Sequence, residues 1–247
     1  MEGMLKLYSP INELKQIGED IWIVDGNEIH MSFKLFKVPF TTRMTVVKLD
    51  NNKLWIHSPI AFNKELNDKI KELGDIEHII APNKYHYSYV LDWYKYYPDA
   101  KVWLAKGVRT KLKIDERENF ISLDNISKTS WSEEILFTPF KGSIAMEEMV
   151  FFHKKSSTLI LTDLIESIEV NKLPLLYKLV FKFGDNKYPK FQTSRDLRSS
   201  FIFKKQAKDS YSKIESWKPD KIVFSHGKII LENGTEKLKE AFYWLRK

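Results

Sequence analysis

Short apolar runs alternate with amphipathic segments along the chain, and this pattern predicts both strands and helices. Apolar, β-rich runs at residues 44–49 and 54–56 flank a polar turn at 50–52, which is typical of a hairpin. The following segment, residues 63–73, carries leucine and isoleucine at helical spacing, with Asn63 as a predicted N-cap. Strand and helix patterns in succession indicate an α/β protein.

The same alternation continues to the end of the chain. Further strands are predicted at residues 21–24, 76–81, 101–105, 136–138, 149–153, 158–162 and 221–225. Further helices are predicted at 87–97, 194–217 and 235–245, the last with Thr235 as its N-cap. No linker rich in Pro, Gly or Ser divides these elements, so we expect one domain over residues 1–247 with mixed sheets.

Composition restricts the chemistry of the chain more than it restricts the fold. The 247 residues include six histidines and no cysteine. The lack of thiols excludes disulfides, thiolate zinc sites, iron–sulfur clusters and a cysteine nucleophile. A transition metal would have to be bound by His, Asp and Glu, so each histidine can be considered in turn.

The net charge is positive, but the charged residues are mixed along the chain. Lys plus Arg number 40 and Asp plus Glu number 33, which gives a formal net charge of +7. Nucleic-acid binders concentrate their basic residues in a patch, whereas here they alternate with acids, as at 64–72, so no nucleic-acid partner is expected. The sequence shows no signal-peptide pattern and no apolar stretch that could span a bilayer, and we expect a cytoplasmic protein.

Two predicted strands end in residue types that bind metals. Asp163 follows the run at 158–162, and His226 follows the run at 221–225. A polar residue at a strand end can point into a cleft at the sheet edge, where α/β proteins bind ligands. Carboxylate and imidazole together suit zinc, iron or manganese. The alternative is that Asp163 caps a following helix and His226 is an ordinary turn residue.

Two more histidines lie at the ends of predicted strands. His86 closes a polar turn at 82–86, and a histidine at the start of a helix can serve as a metal ligand or as an acid–base group. His57 ends the predicted hairpin, directly before Ser58 and Pro59. Each histidine also has a structural interpretation, in which its ring forms hydrogen bonds with the surrounding loop.

Taken in order, these features resemble one family over most of the chain. The similar stretches are Trp55-x-His57-Ser58-Pro59, Pro82-Asn83-x-x-His86, Trp93 with Tyr97-Pro98-Asp99-Ala100, Glu148 with His153, Leu161-Thr162-Asp163 and Ser225-His226-Gly227. The chain resembles the metallo-β-lactamase fold, an αββα sandwich of two mixed sheets flanked by helices. Within that superfamily it is most similar to DUF4336, a divergent family of unknown function.

The resemblance implies a metal site that has lost ligands. Active members of the superfamily bind two metals through a His-x-His-x-Asp-His turn, a further His, a bridging Asp and a final His. The bridging Asp corresponds to Asp163 and the final His to His226. The turn corresponds to residues 83–88, where none of its four ligands is kept. His86 falls on a spacer position, so it can serve only if the turn is reshaped.

Other positions of the family pattern differ as well. Lys141 stands where the further His is expected, and its charge disfavours a nearby divalent ion. Tyr87 replaces the turn Asp that would activate water, and a tyrosine cannot act as a carboxylate at neutral pH. The predicted metal ligands are His86, Asp163 and His226. The predicted pocket residues are His57, Asn83, Tyr85, Lys141 and Glu148.

Three functions fit these observations. The first is a metallo-hydrolase-like protein with at most one divalent metal (Zn, Fe or Mn) and an unknown small-molecule substrate, in which His57 converges with the three predicted ligands. The second is a metal-free member of the fold that binds a ligand in the same pocket. The third is a non-catalytic protein-interaction module. The clustered aromatic residues between 85 and 97 fit this third function, but they also fit a core and a pocket wall.

The irregular stretch at about 164–194 is predicted to be a lid or an insertion. Its apolar part, residues 173–190, could cover the cleft, touch a membrane surface or pack on the core as a helix, and packing on the core is favoured. Four basic residues follow this part, namely Arg195, Arg198, Lys204 and Lys205. They could face an anionic substrate group, although a solvated helix face is the simpler interpretation.

Overall fold

The structure is a computed structural model that describes residues 5–33, 36–115, 118–124, 126, 128–174, 178 and 184–246. Its strands are β1 (Lys15–Gly18), β2 (Ile21–Asp25), β3 (Ile29–Phe33), β4 (Phe36–Phe40), β5 (Arg43–Lys48), β6 (Lys53–His57), β7 (Asp75–Ala81), β8 (Lys101–Leu104), β9 (Phe120–Ser122), β10 (Ile135–Phe140), β11 (Glu148–His153), β12 (Thr158–Ile160) and β13 (Lys221–Val223). Its helices are α1 (Lys64–Leu73), α2 (Val90–Tyr96), α3 (Val108–Leu112), α4 (Arg195–Ser199), α5 (Lys204–Ser216) and α6 (Gly234–Ala241), with 3-10 turns at Val170–Lys172 and Tyr243–Leu245.

Within the described residues, the strands form two large mixed sheets and one separate hairpin. The first sheet has the order β1-β2-β5-β6-β7-β8-β9, antiparallel up to β6 and parallel from β6 onwards. The second has the order β10-β11-β12-β13, in which only the last pair is parallel. The hairpin consists of β3 and β4. The predicted hairpin at 44–56 is confirmed as β5 and β6, and Asn63 caps α1 by accepting from the Leu66 amide.

The two sheets face each other across a shared core. Alternate side chains of β11 show this, because they point to opposite faces of the second sheet. Phe151 points between the sheets, where its ring lies 5.0 Å from that of Trp55 on β6. Its neighbours Val150 and Phe152 point the other way and join the core formed with α5 and α6. Helices α1 and α2 pack against the first sheet. The predicted αββα sandwich is confirmed, because a strand buried on both faces requires a covering layer on each side.

The helices differ from the sequence prediction by a few residues at their ends, and two differences are more than a shift of an end. The helix predicted at 194–217 is interrupted between α4 and α5, where Phe201 pairs with Ser143 and buries its ring against Phe140. The chain leaves the helical path there because a large aromatic side chain is needed in the core. Thr235 is not the N-cap of α6, since Asn233 precedes the helix and the Thr235 hydroxyl donates to the Pro219 carbonyl instead.

The stretch at 164–194 is only partly described. Glu166 pairs with Gln192, and Ser167 pairs with Gly227 beside the end of β13. Most of the apolar run, residues 175–177 and 179–183, lies outside the described residues, so the lid or insertion stays a prediction. No helix in the described part of the chain has the length and apolar character needed to cross a bilayer.

Candidate metal centre

Three loops meet at one edge of the sandwich and carry the three predicted ligands. His86 lies in the turn after β7, Asp163 follows β12, and His226 follows β13. Strands β12 and β13 are parallel neighbours, so their following loops lie side by side. The turn after β7 is joined to the second sheet by a hydrogen bond from the Met149 amide to the Pro82 carbonyl (2.8 Å).

The side chains of these three residues converge on a single carboxylate oxygen. Asp163 Oδ1 lies 3.1 Å from His86 Nε2 and 3.2 Å from His226 Nε2. One donor atom from each residue lies within 4.8 Å of the other two. Asp163 is followed by irregular chain, so it does not cap a helix.

The His226 ring is oriented by the loop between β4 and β5. Its Nδ1–H donates to the Thr41 carbonyl at 2.9 Å, so Nε2 is the ring nitrogen that faces Asp163. The next residue, Gly227, has φ +107°, and a Cβ there would meet the Ser167 carbonyl at 2.0 Å. Only glycine fits this close approach, which turns the chain so that the imidazole faces Asp163.

A buried ion pair fixes the backbone on both sides of His226. The Arg43 guanidinium donates to the carbonyls of Phe224 (2.6 Å) and Gly227 (2.9 Å). The same group pairs with Asp25 at 2.7 Å, and both side chains are buried. Arg43 begins β5 in the first sheet, so one side chain connects that sheet with the loop after β13 that carries His226.

His86 reaches the site because Asn83 reshapes its turn. Asn83 Oδ1 accepts from the backbone amides of Tyr85 (2.8 Å) and His86 (3.0 Å). The His86 ring then lies with Nδ1 2.8 Å from Ser58 Oγ and Nε2 toward Asp163. The Asn83 side chain thus holds the turn in a conformation that directs His86 toward Asp163.

Behind the centre, Glu148 and Asn83 hold the Asp163 loop. The Glu148 carboxylate accepts from the backbone amides of Thr162 (2.6 Å) and Asp163 (2.9 Å). Asn83 Nδ2 donates to Asp163 Oδ2 at 2.8 Å and to Glu148 Oε2 at 3.0 Å. Both oxygens of Glu148 therefore accept hydrogen bonds. The same contacts fix the backbone and the side chain of Asp163.

The two carboxyl groups of this network differ in acidity. Burial, followed by the negative charge of Asp163, raises the pKa of Glu148 to about 7. Burial also opposes ionisation of Asp163, but the charge of His86 and the hydrogen bonds from His226 and His86 outweigh it and hold the pKa of Asp163 well below its usual range. The site thus favours a negative charge on the residue that faces both histidines.

A cavity of about 710 Å³ opens onto the three ligands. Its walls include Tyr85, His86, Asp163, Glu166 and His226. The volume suits a small-molecule ligand, and its lining mixes aromatic, hydroxyl and charged groups. Glu166 was not among the residues singled out from the sequence, where its only signal is that it follows Asp163 by three positions.

The remaining predicted pocket residues occupy different places. His57 is buried beside Trp55 and Phe151 and does not line the cavity, and burial, followed by the charge of His86, lowers its pKa to about 3. Lys141 is exposed, and its backbone amide donates to Ser210 on α5, outside the cavity lining. Asn83 and Glu148 lie behind the ligands, whereas Tyr85 lies on the cavity wall.

Solved structures with a similar fold span nearly the whole chain. DIM-1 metallo-β-lactamase shares 11% identity with a TM-score of 0.63, covering 97% of this chain and 100% of that one. A metallo-β-lactamase from Pontibacter korlensis shares 11% identity with a TM-score of 0.60, covering 98% and 100%. FIM-1 from Pseudomonas aeruginosa, in its mono-zinc form, shares 11% identity with a TM-score of 0.57, covering 92% of each chain. At such identities the likeness establishes the metallo-β-lactamase fold and nothing finer.

Comparison with curated proteins finds no match. The family model described as Domain of unknown function (DUF4336) matches residues 19–200, well over half of the chain. The Pro-Asn-x-x-His turn, Glu148 and Asp163, which build the centre described above, lie inside that span. The chain belongs to the DUF4336 family, a divergent branch of the metallo-β-lactamase fold.

Proposed function

We propose that this protein is a hydrolase-like enzyme that holds one divalent cation at His86, Asp163 and His226 and acts on a small molecule in the adjoining cavity. The observation that carries the proposal is the convergence of two imidazole nitrogens and a carboxylate oxygen within 4.8 Å at the wall of a 710 Å³ cavity. Catalytic zinc sites use three protein ligands of these types and keep a fourth position open.

The donor set fits a single transition-metal ion. The His226 Nδ1–H is already engaged by the Thr41 carbonyl, so its Nε2 is the atom offered to a cation. Two histidines and one carboxylate suit zinc, and they equally suit iron or manganese. Among the described residues these three form the one candidate group, too few for the pair of metals that active superfamily members bind.

A bound divalent cation would supply Lewis-acid polarisation of a substrate oxygen. The surrounding side chains position the residues that would bind it. Asn83 and Glu148 fix the carboxylate of Asp163, and Arg43 fixes the loop of His226, so the ligands are held in place before binding. Tyr85 lies on the wall of the same cavity, where its aromatic ring offers an apolar surface to a bound small molecule.

Metal binding is the first test. Protein freed of metal with a chelator and dialysed is titrated calorimetrically with Zn²⁺, Fe²⁺ or Mn²⁺. We expect one equivalent to bind, and we expect Asp163→Asn to weaken binding at least 100-fold because a neutral amide replaces the central charged ligand. Asp196→Asn, which neutralises a cavity carboxylate outside the group, is the matched control and should change affinity less than threefold.

Turnover is the second test. Chromogenic carboxylic and phosphoric esters should be hydrolysed by the loaded wild type and not by Asp163→Asn. Less than a tenth of an equivalent of metal after supplementation would exclude the proposal. In that case the 3.1 and 3.2 Å contacts would be direct hydrogen bonds from the histidines to Asp163, and the cavity would belong to a non-catalytic ligand-binding protein.

A further inference from the structure

A second carboxylate lies in the same cavity as the candidate metal centre. Glu166 follows Asp163 by one short stretch of loop, and its side chain lines the cavity together with Asp163 and His226. Its backbone is fixed by two hydrogen bonds exchanged with Gln192, of 3.0 and 3.1 Å. The residue is 8% exposed, so the side chain is held in place by its surroundings and is not a mobile surface group.

The two oxygens of Glu166 have different environments. Oε2 accepts a hydrogen bond from Asn186 Nδ2. Oε1 accepts no hydrogen bond from the described residues, yet it is not among the sealed atoms without a partner, so it keeps contact with the cavity. One oxygen thus anchors the carboxyl group while the other is open to a ligand or water. This division of roles is what a proton-exchanging group requires.

The charges around Glu166 favour exchange near neutral pH. Burial raises its pKa to about 7, the positive charge of His226 lowers it, and the negative charges of Asp163 and Asp196 raise it. The hydrogen bond from Asn186 lowers it again. In contrast, the pKa of Asp163 is held low. The surroundings of the two carboxyl groups thus give them different pKa values within one cavity. Such a difference commonly separates a metal-ligand role from an acid–base role.

The resemblance to the superfamily aligns Tyr87 with the turn carboxylate that would take a proton from water. We propose that Glu166, whose free oxygen faces the cavity, is a further catalytic residue that performs this proton transfer. This inference rests on the hydrolase-like function proposed above. Glu166 takes a proton from the attacking water as the water oxygen bonds to the substrate, and it returns that proton to the leaving group as the scissile bond breaks. The sum is substrate plus water giving two products, with Glu166 regenerated.

Glu148 provides the internal comparison for this proposal. It is equally buried, and burial raises its pKa to the same value of about 7. However, both of its oxygens accept backbone amides, and it does not line the cavity. The proposal therefore assigns proton transfer to Glu166 and excludes it for Glu148.

The first experiment uses metal-free protein, so that its result does not depend on metal binding. Carboxyl ¹³C NMR of glutamate-labelled protein, with the Glu166 signal assigned by its loss in Glu166→Gln, should show titration near pH 7. Carbodiimide with glycine methyl ester at pH 6, followed by peptide mapping, should modify Glu166 at least tenfold faster than Glu148. Titration of Glu166 below about pH 5, or equal modification of the two residues, would overturn the proposal whether or not a metal binds.

The second experiment uses the metal-loaded protein and whichever chromogenic ester it hydrolyses. Glu166→Gln keeps Oε1 or Oε2 as the acceptor for Asn186 but cannot exchange a proton, so kcat should fall about 100-fold or more with KM within threefold. The kcat profile should also lose its acidic limb near pH 7. Glu134→Gln changes a glutamate that accepts from the Asp50 amide and does not line the cavity, so it serves as control and should leave both constants unchanged. An unchanged kcat in Glu166→Gln would reject Glu166 while leaving the metal site intact.

Discussion

The two sides of Asp163 show how similar residues acquire different roles. On one side, which we name the sealed side, Asn83 donates to Oδ2 of the carboxylate and Glu148 accepts from the Asp163 amide. On the other, the cavity side, Oδ1 meets the histidines, and Glu166 presents a free oxygen to a space large enough for a ligand.

A raised pKa does not by itself distinguish these two sides. Burial raises the pKa of Glu148 and of Glu166 to the same value of about 7. What separates the two glutamates is the set of partners around each oxygen atom, since both oxygens of Glu148 accept buried amides while one oxygen of Glu166 has no such partner among the described residues. A perturbed group points to function only when it also has access to a cavity.

The largest loss of stability is expected from the buried Arg43–Asp25 ion pair, which supports the His226 loop. Arg43→Met removes both hydrogen bonds to the His226 loop and leaves Asp25 buried with only Lys15 as partner. We expect a loss of about 4 kcal/mol in the free energy of unfolding, measured with urea, because an uncompensated buried charge remains. Zinc affinity should also fall at least tenfold, since the His226 loop loses its support.

Lys15→Met is the matched control for this variant. Lys15 binds the same carboxylate at 2.8 Å but does not touch the His226 loop, and its side chain is partly exposed. Its replacement should cost about 1 kcal/mol or less and leave zinc affinity unchanged. Equal losses of zinc affinity in the two variants would show that the ion pair acts through general stability and not by positioning His226.

The second prediction compares the two buried glutamates directly. In Glu148→Gln one oxygen becomes an amide donor that faces a backbone N–H or the Asn83 amide, so a buried donor loses its acceptor. This should lower the free energy of unfolding by about 3 kcal/mol. In Glu166→Gln the amide can face the cavity while the remaining oxygen accepts from Asn186, so the change should stay within about 0.5 kcal/mol.

Urea unfolding of the two variants at pH 8, with metal chelated, measures both effects, because both carboxyl groups are then largely ionised in the wild type. A Glu166→Gln variant that is as unstable as Glu148→Gln would remove the distinction between the sealed and the cavity side. It would mean that Oε1 of Glu166 has a structural partner when the protein is in solution.

The parts of the fold and of the site that were predicted from the sequence are those set by local patterns. The β5–β6 hairpin follows from alternating apolar runs around a polar turn, and Asn63 follows from capping chemistry. His86, Asp163 and His226 stand at strand ends, and parallel or facing strands bring such ends to one edge.

The parts that were missed depend on contacts between distant segments. Arg43 and Phe224 lie 181 residues apart, and no local pattern links a strand-initial arginine with the loop that it supports. The break before α5 exists because Phe201 fills the core, which helical spacing cannot show. Glu166 and Asn186 pair across the irregular stretch, so the free oxygen of Glu166 becomes visible only once that pairing is known.

The smallest predicted effect concerns His57, which is buried near His86 and does not line the cavity. Its ring stacks on Trp55, its Nε2 has no partner among the described residues, and its pKa is about 3, lowered by burial and by the charge of His86. His57 therefore becomes protonated near pH 6.5 in the unfolded chain but only near pH 3 in the folded chain. The free energy of unfolding consequently decreases as the pH falls from 6.5 toward 3. His57→Phe keeps the aromatic packing and removes this proton, so between pH 7 and pH 5 it should lose about 2 kcal/mol less than the wild type when metal is chelated. Ile56→Val, a neighbouring change without a titrating group, should keep the wild-type slope. A His57→Phe curve parallel to the wild type would instead mean that folding does not lower the pKa of His57.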